Sequence, residues 1–291
     1  MEKSLAPPPG RSTPYTFGPV FENGGITFRL WAPLCRRVDL CLAHVELPMQ
    51  PRSDGWFELF VAGAAPGARY AFRLDGGQVV PDPASRWQPD GVHGPSLAHA
   101  STHRWTDAGW AGIDWHDVVY YEAHIGTLTP EGTYRAAIDK LDAIADLGAN
   151  AIEIMPLHDF SGRFGWGYDG VLLYAPANCY GSPDDLRTLV DAAHARGLMV
   201  SLDVVYNHLG ADGNYLPIYT PYLSTTHDGE FGDPPNLDGP GSGPVRRFIL
   251  ENVLYWLEEF HFDGLRFDAV QAIKDKSDRH LMIEIAETVK A

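Results

Sequence analysis

The stretch Met199-Val-Ser-Leu-Asp-Val-Val-Tyr-Asn-His208 joins a nearly continuous apolar run to a polar end. An apolar run without strict alternation is typical of a strand buried on both faces, as in a parallel sheet covered by helices. Similar runs occupy residues 118–123, 151–155 and 264–267. Helical periodicity between and after these runs predicts helices over 134–147, 184–196 and 245–260, and a last one from about 276 to 290. The pattern therefore predicts four successive βα units in the second part of the chain.

Two parallel architectures suit four βα units, a doubly wound open sheet and a β/α barrel. The loop from His124 to Glu131 follows the first strand and has one Gly, where a dinucleotide site would have G-x-G-x-x-G. The segment 208–244 after the third strand is long and holds seven Gly and six Pro. Active sites of β/α barrels are built from the loops at the carboxyl ends of the strands, and these loops are often enlarged. The length of this loop therefore favours an incomplete (β/α)8 TIM barrel over residues 117–291.

The first hundred residues have a different pattern of residue types. Short runs rich in β-branched and aromatic residues alternate with Gly, Pro and Asp turn clusters, which predicts an N-terminal β-sandwich over residues 1–100. These runs are 26–31, 38–42, 56–61 and 70–74. Residues 81–96 are rich in Pro, Gly and Asp and are expected to form a linker or an ordered wrap, with the connection reaching to about residue 116.

Composition excludes several classes of partner. The 291 residues include 38 acidic and 22 basic side chains, giving a net charge of −16, so neither nucleic acid nor an anionic membrane is expected as a partner. Cys35, Cys41 and Cys179 lack metal-ligand spacing, and with a signal-free N-terminus they favour reduced thiols in a cytoplasmic protein. No metal or other cofactor is expected, since segment 208–244 lacks the dense carboxylates that calcium prefers.

Polar clusters follow three of the predicted strands, at the points where the strands end. Gly165-Trp-Gly-Tyr-Asp-Gly170 comes after the second strand, Asp203-Val-Val-Tyr-Asn-His208 at the third and Arg266-Phe-Asp268 at the fourth. The carboxyl ends of barrel strands share one face, so these clusters are expected to meet. The alternation of Arg266 and Asp268 aims both side chains at the same side of a strand, where the cation can hold the carboxylate ionised.

Each cluster also has a purely structural explanation. Asp203 and Asn207 could cap loops, His208 could be a hydrogen-bonded loop histidine, and Tyr168 could serve packing. What favours a catalytic site is the coincidence of all three clusters at one face of the predicted barrel.

These motifs resemble those of the α-amylase family of retaining glycoside hydrolases and transglycosidases. The segment 203–208 is similar to the first signature region of that family, and Gly264-Leu-Arg-Phe-Asp-Ala-Val270 to its second. The preceding β-domain resembles the N-terminal modules of its branching, debranching and trehalose-releasing branches. Four segments are closest to the trehalose-releasing branch: 121–132, 165–170, 207–215 and 236–241.

The resemblance implies that Asp268 is the nucleophile and that Arg266 keeps it ionised. It implies a further set of residues that bind the sugar at the cleaved bond or support that site: Tyr168, Asp169, Asp203, Asn207 and His208. The expected reaction is hydrolysis of the α-1,4-glucosidic bond next to the terminal trehalose of malto-oligosyltrehalose or a related α-glucan, with retention of configuration.

A retaining glycosidase also needs a carboxylic acid about 5 to 5.5 Å from its nucleophile. In the family this is a Glu after the fifth strand, and residues 117–291 are too few for a complete barrel of about 250 residues. Glu284 and Glu287 are expected on an outer helix, and Glu153 inside the second strand. We therefore expect an N-terminal portion of a longer enzyme, with little activity alone and an open barrel edge that could self-associate.

Two other functions fit the same sequence. The chain could be part of a 1,4-α-glucan branching or debranching enzyme, which shares most of these motifs. It could also be a non-catalytic glucan-binding module that uses the aromatic side chains of Trp56, Trp105 and Trp110.

Overall fold

The N-terminal strands form two antiparallel sheets in a computed structural model that describes residues 15–290. The first sheet has the order β1-β2-β6-β5; the second has the order β4-β3-β7-β8, with β9 also paired to β7. The strands are β1 Val20–Glu22, β2 Gly25–Trp31, β3 Val38–Leu42, β4 Val45–Pro48, β5 Gln50–Pro51, β6 Trp56–Ala62, β7 Arg69–Leu74, β8 Val79–Val80 and β9 Ser96–Leu97.

The β-sandwich prediction is confirmed, and each of the four predicted runs is a strand. Alternate side chains of both sheets point inward, as the ring of Phe28 on β2 does when it packs against that of Tyr70 on β7, with centroids 4.8 Å apart. Residues 81–96 form an ordered wrap. Within it, Asp82 is buried and accepts a hydrogen bond of 2.6 Å from the Tyr70 hydroxyl, and burial raises the pKa of Asp82 to about 6.

The second part of the chain forms a four-stranded parallel sheet, as predicted. Its order is β10-β11-β14-β15, and β12 and β13 form a separate antiparallel pair in the loop after β11 that the sequence pattern did not indicate. The strands are β10 Tyr120–Ala123, β11 Ala151–Ile154, β12 His158–Asp159, β13 Leu172–Pro176, β14 Met199–Val204 and β15 Gly264–Phe267. The helices are α1 Ile125–Leu128, α2 Tyr134–Ala137, α3 Leu141–Asp146, α4 Pro183–His194, α5 Leu216–Tyr219, α6 Ser242–Phe260 and α7 Leu281–Lys290.

The register of this sheet gives it one polar and one apolar face. Asp203 pairs with Arg266, two residues after the pairing of Ser201 with Gly264. Because side chains alternate along a strand, Ser201, Asp203 and Arg266 share a face, while Leu202 lies on the opposite face, within the apolar core. A 2.7 Å hydrogen bond between the Tyr120 and Ser201 hydroxyls crosses the polar face.

Two helices differ from the sequence prediction. The segment predicted as one helix over 134–147 is divided by a short 3-10 turn into α2 and α3. The last helix begins at Leu281 and not near Lys276, since the Asp275 carboxylate accepts hydrogen bonds from Leu281 N (2.7 Å) and from Arg246 Nη1 (2.7 Å). These contacts hold the chain before Leu281 in a loop.

The β-sandwich is joined to the parallel sheet through α6. The Glu251 carboxylate accepts hydrogen bonds from Thr16 N (2.8 Å) and Thr16 Oγ1 (2.6 Å), and the ring of Phe17 packs against that of Phe248 with centroids 5.0 Å apart. One continuous apolar core includes side chains of both parts. Cys35, Cys41 and Cys179 are free thiols, and no helix within residues 15–290 is long and apolar enough to cross a bilayer.

A buried histidine fixes the segment that connects the two parts. His194, at the end of α4, has Nδ1 3.0 Å from Asp107 and Nε2 3.0 Å from Asp263. Both carboxylates accept, so the ring donates from both nitrogens and is a cation. Burial lowers the pKa of His194, but the hydrogen bonds and charges of Asp263 and Asp107 outweigh burial and raise it above the usual value.

Two tryptophan side chains pack in the same region. Trp110 stacks on His194 with ring centroids 4.9 Å apart, and its Nε1 donates to Asp263 at 2.6 Å. Trp105 stacks on His261 at 3.8 Å. Each of these two rings therefore has one face covered by a histidine of the same chain, and the suggested stacking of sugar on Trp105 and Trp110 would have to use the opposite face.

The raised pKa of His194 predicts a pH-dependent contribution to stability. The contribution is fully present below the ordinary pKa of 6.5 and is lost as pH rises through the folded-state value. His194→Gln should therefore lower the free energy of unfolding more at about pH 6 than at about pH 9, as measured by urea denaturation. The exposed His44→Gln is the control, and an equal loss at both pH values for His194→Gln would contradict a cationic His194.

Candidate active site

One guanidinium connects the ends of two neighbouring strands. Arg266 Nη1 donates to Asp203 Oδ2 at 2.7 Å and to Asp268 Oδ1 at 2.9 Å. The hydroxyl of Tyr168, from the loop after β11, donates to the same Asp203 oxygen at 3.0 Å. The structure thus brings the three predicted strand-end clusters together.

Asp268 is held by its backbone and by both carboxylate oxygens. Its N–H donates to the Val204 carbonyl at 3.0 Å, which extends the β14–β15 pairing by one residue. Asn207 Nδ2 lies 3.0 Å from the Asp268 carbonyl and 3.3 Å from Oδ2, while Oδ1 accepts from Arg266. The Asp268 side chain remains 19% exposed, so a fixed carboxylate still faces solvent, as a nucleophile must.

Burial and ion pairing act in opposite directions at Asp203. Its side chain is 1% exposed, and burial raises its pKa. The hydrogen bond and charge of Arg266 and the hydroxyl of Tyr168 lower the pKa, but burial outweighs them and the value is about 6. Burial also disfavours the charge of Arg266, but its bonds to Asp203 and Asp268 outweigh burial and raise its pKa, so it stays cationic. Burial, followed by the charge of Asp203, raises the pKa of Tyr168, which keeps its hydroxyl a donor.

The other two predicted site residues lie at the edge of this cluster. His208 is buried, its Nδ1 is hydrogen-bonded to Asn207 Oδ1, and its ring centroid is 5.8 Å from that of the exposed Phe231. His208 thus braces the amide that holds Asp268. Asp169 is exposed beside Tyr168, and its carbonyl packs against Gly210, where an added Cβ would lie 2.1 Å from the oxygen.

Glycine and a histidine position the loop that carries Tyr168. Gly167 has a φ of +94°, and a Cβ there would lie 2.1 Å from the Pro156 carbonyl oxygen, so only glycine allows this path. His124 Nε2 is 2.9 Å from the Gly165 carbonyl oxygen. His124 is not among the site residues predicted from the sequence, although it follows β10 directly and so lies at a strand end like the other clusters.

Other carboxyl groups occupy different surroundings. Glu284 on α7 accepts from Arg246 Nε of α6 at 2.9 Å, and Glu287 is paired with Arg279. Glu153 lies on β11, where burial raises its pKa, Arg266 lowers it and Glu122 raises it. Within residues 15–290, no group of three or more His, Cys, Asp or Glu side chains is arranged to hold a metal ion.

Two family models match the chain. Residues 79–218 match the catalytic domain of alpha amylase. Residues 16–88 match carbohydrate-binding module 48, the isoamylase N-terminal domain. The second match covers β1 to β8 of the sandwich, and the first begins at β8 and ends within the loop that follows β14.

Curated relatives and solved structures match over nearly the whole chain. It is 47% identical over 275 residues to a malto-oligosyltrehalose trehalohydrolase from Saccharolobus solfataricus, covering 94% of this chain and 49% of that protein. A second such enzyme, from Rhizobium sp. (strain M-11), is 45% identical over 277 residues, covering 92% and 46%. A crystal structure of an α-amylase-like protein from Salmonella typhimurium superimposes with a TM-score of 0.92 at 47% identity, covering 96% and 48%. The chain thus spans about half the length of the curated relatives it matches.

The shared guanidinium predicts a measurable shift at Asp203. Removing the charge in Arg266→Met should raise the pKa of Asp203 above its value of about 6, because the lost cation favoured the carboxylate. Titration of the ¹³C carboxyl signal by NMR measures this directly. Arg104→Met, which removes an exposed arginine elsewhere, should leave the titration unchanged. An unaltered or lowered pKa in Arg266→Met would show that Arg266 does not hold Asp203.

Proposed function

The chain belongs to the α-amylase family, and we propose that it carries the nucleophile half of a retaining glycoside hydrolase site that acts on malto-oligosyltrehalose. The observation that carries the proposal is the bond of Arg266 to Asp268, which pairs a carboxylate with a cation in a position open to solvent. A retaining mechanism requires such a carboxylate beside the anomeric carbon.

The proposed reaction has two displacement steps. A carboxylate oxygen of Asp268 attacks the anomeric carbon, the bond to the glycosidic oxygen breaks, and that oxygen takes a proton from a carboxylic acid and leaves. In the second step the deprotonated acid takes a proton from water, the water oxygen attacks the anomeric carbon, and the ester bond to Asp268 breaks. This returns the carboxylate and the protonated acid and releases a sugar with the original configuration. Arg266 and Asn207 keep Asp268 oriented through both steps.

The neighbouring groups suit the sugar at the cleaved bond. We assign Tyr168 to contact the ring of that sugar, and His208 to its hydroxyl groups. Asp203 holds Arg266 and Tyr168 in place, and Asp169 meets the substrate from the rim of the site. These roles agree with the placement of Tyr168 and Asp169 on the loop after β11, of Asp203 near the end of β14, and of His208 on the loop after β14.

We propose that the proton donor corresponds to a residue in the half of the relatives that does not align with this chain. Glu284 and Glu287 are engaged by arginines on the helical side of the sheet. Glu153 is on β11, which is separated from β15 by β14. Neither position suits an acid facing Asp268 across a sugar.

The choice of substrate within the family rests on the third loop. Its segment 207–215 carries the pattern that resembles trehalose-releasing enzymes, and the trehalohydrolases named above are 45–47% identical to this chain. The structure orders this segment against the wrap, since Tyr215 Oη is 2.6 Å from His93 Nδ1 and a Cβ on Gly213 would lie 2.4 Å from Val92 Cγ2. We propose that this ordered loop contributes to recognition of the trehalose end.

Product analysis tests this function. The 291-residue chain should release free trehalose from malto-oligosyltrehalose at least about 100-fold more slowly than a complete relative, since a general acid typically contributes 10² to 10⁴ in rate. Chromatography of long incubations measures the product, and Asp268→Asn should abolish the residual release. Full-rate release would place the acid within this chain, and a new α-1,6 linkage in place of trehalose would show a branching activity.

A further inference from the structure

A largely buried carboxylate connects the loop that carries His208 with the loop that follows Asp268. Asp238 lies between β14 and α6, and its Oδ2 accepts hydrogen bonds from His227 Nε2 (2.8 Å) and from Lys276 N (2.8 Å). His227 belongs to the same loop as Asp238, whereas Lys276 belongs to the loop between β15 and α7. One carboxylate oxygen thus joins three points of the chain.

This contact is a stronger restraint than an ion pair on the surface. The side chains of His227 and Asp238 are 10% and 11% exposed, so solvent and salt screen their interaction less than that of an exposed pair. Burial raises the pKa of Asp238, but the hydrogen bonds from Lys276 N and His227 outweigh burial and lower it. The acceptor is therefore an ionised carboxylate, which accepts stronger hydrogen bonds than a neutral oxygen does.

Arg246 of α6 holds the residues next to this contact. Its Nη1 donates to the Leu237 carbonyl at 2.8 Å and to Asp275 Oδ2 at 2.7 Å. Leu237 comes directly before Asp238 in the chain, and the Asp275 side chain is fully buried. Because Asp275 comes directly before Lys276, the guanidinium joins the same two loops at the adjacent positions.

The hairpin-like turn over residues 225–233 carries a ring that packs beside His208. Ser224 N donates to the Pro234 carbonyl at 2.8 Å and closes the base of this turn. Phe231 lies within the turn, and its ring centroid is 5.8 Å from that of His208. Most residues of the turn are exposed, so its position depends on the hydrogen bonds at its ends.

We propose that Asp238 is a positioning residue of the sugar site, an inference that rests on the function proposed above. Through His227 it fixes the turn beside His208, and through Lys276 it fixes the same turn to the loop after β15. Groups on separate loops bind a sugar well only when their relative position is set beforehand, because ordering them on binding costs free energy. Loss of the contact should therefore weaken sugar binding although no group assigned to the substrate is removed.

Two substitutions separate the hydrogen bonds of Asp238 from its charge. Asp238→Ala removes the acceptor, whereas Asp238→Asn keeps an oxygen that can accept from Lys276 N and from His227 Nε2. His227→Ala breaks the contact from the other side and serves as the second variant if Asp238→Ala does not fold. The matched control is Asp233→Ala, which removes an exposed carboxylate from the same turn.

Binding of maltotriose to the 291-residue chain is measured by NMR titration in an Asp268→Asn background, which lacks the proposed nucleophile. Asp238→Ala and His227→Ala should raise Kd at least about fivefold, whereas Asp238→Asn and Asp233→Ala should change it by less than about twofold. Urea denaturation confirms that each variant is folded under the conditions of the titration.

A second measurement follows the turn itself without any ligand. The ring current of Phe231 shifts the NMR signals of the His208 ring, so these signals should move in Asp238→Ala and His227→Ala and stay in place in Asp238→Asn. A purely stabilising role of Asp238 would lower the free energy of unfolding and leave both the signals and Kd unchanged.

Four results would overturn the proposal. These are no saturable binding of maltotriose in the Asp268→Asn chain, an unchanged Kd in Asp238→Ala and His227→Ala, a loss in Asp238→Asn as large as in Asp238→Ala, and His208 signals that do not move. Because the background has no carboxylate at position 268, these outcomes do not depend on whether Asp268 forms the glycosyl ester. Product analysis of the unsubstituted chain tests that function separately.

Discussion

The arrangement of the site depends on one cation, Arg266, which bonds to a carboxylate on its own strand and to another on the neighbouring strand. This contact requires the β14–β15 register that sets Asp203 opposite Arg266. A slip of one residue would turn Arg266 to the apolar face and separate the two carboxylates. The pairing of β15 with the buried strand β14 therefore determines where Asp268 stands and which cation it bonds to.

Much of this arrangement was predictable because it follows from local pattern. The apolar run at 199–204 predicts a strand, and its polar end places Asp203 among the candidate site residues. The alternation of side chains along a strand predicts that Arg266 and Asp268 lie on the same side and can form an ion pair. Contacts between distant residues could not be predicted in this way. The late start of α7 depends on Asp275 and Arg246, which are 29 residues apart, and Trp105 and Trp110 stack on histidines that no periodicity connects to them.

The β-sandwich and the parallel sheet are one packed structure. Phe17 and Glu251 join them, and the connecting segment is fixed by the His194 cation between Asp107 and Asp263. The wrap also touches the third loop, through His93 and Tyr215. The sandwich therefore supports a loop of the candidate site. The two parts that match a carbohydrate-binding module and a catalytic domain share one apolar core.

The identity of the nucleophile is the central claim, and covalent trapping tests it most directly. In an α-maltotriosyl fluoride, fluoride leaves as the anion and needs less protonation than a glycosidic oxygen, so the first displacement can proceed with little help from a general acid. Mass spectrometry of the digested protein should find a maltotriosyl ester on the peptide that contains Asp268, and none in Asp268→Asn. An ester on another carboxylate, or an equal yield in Asp268→Asn, would contradict the account.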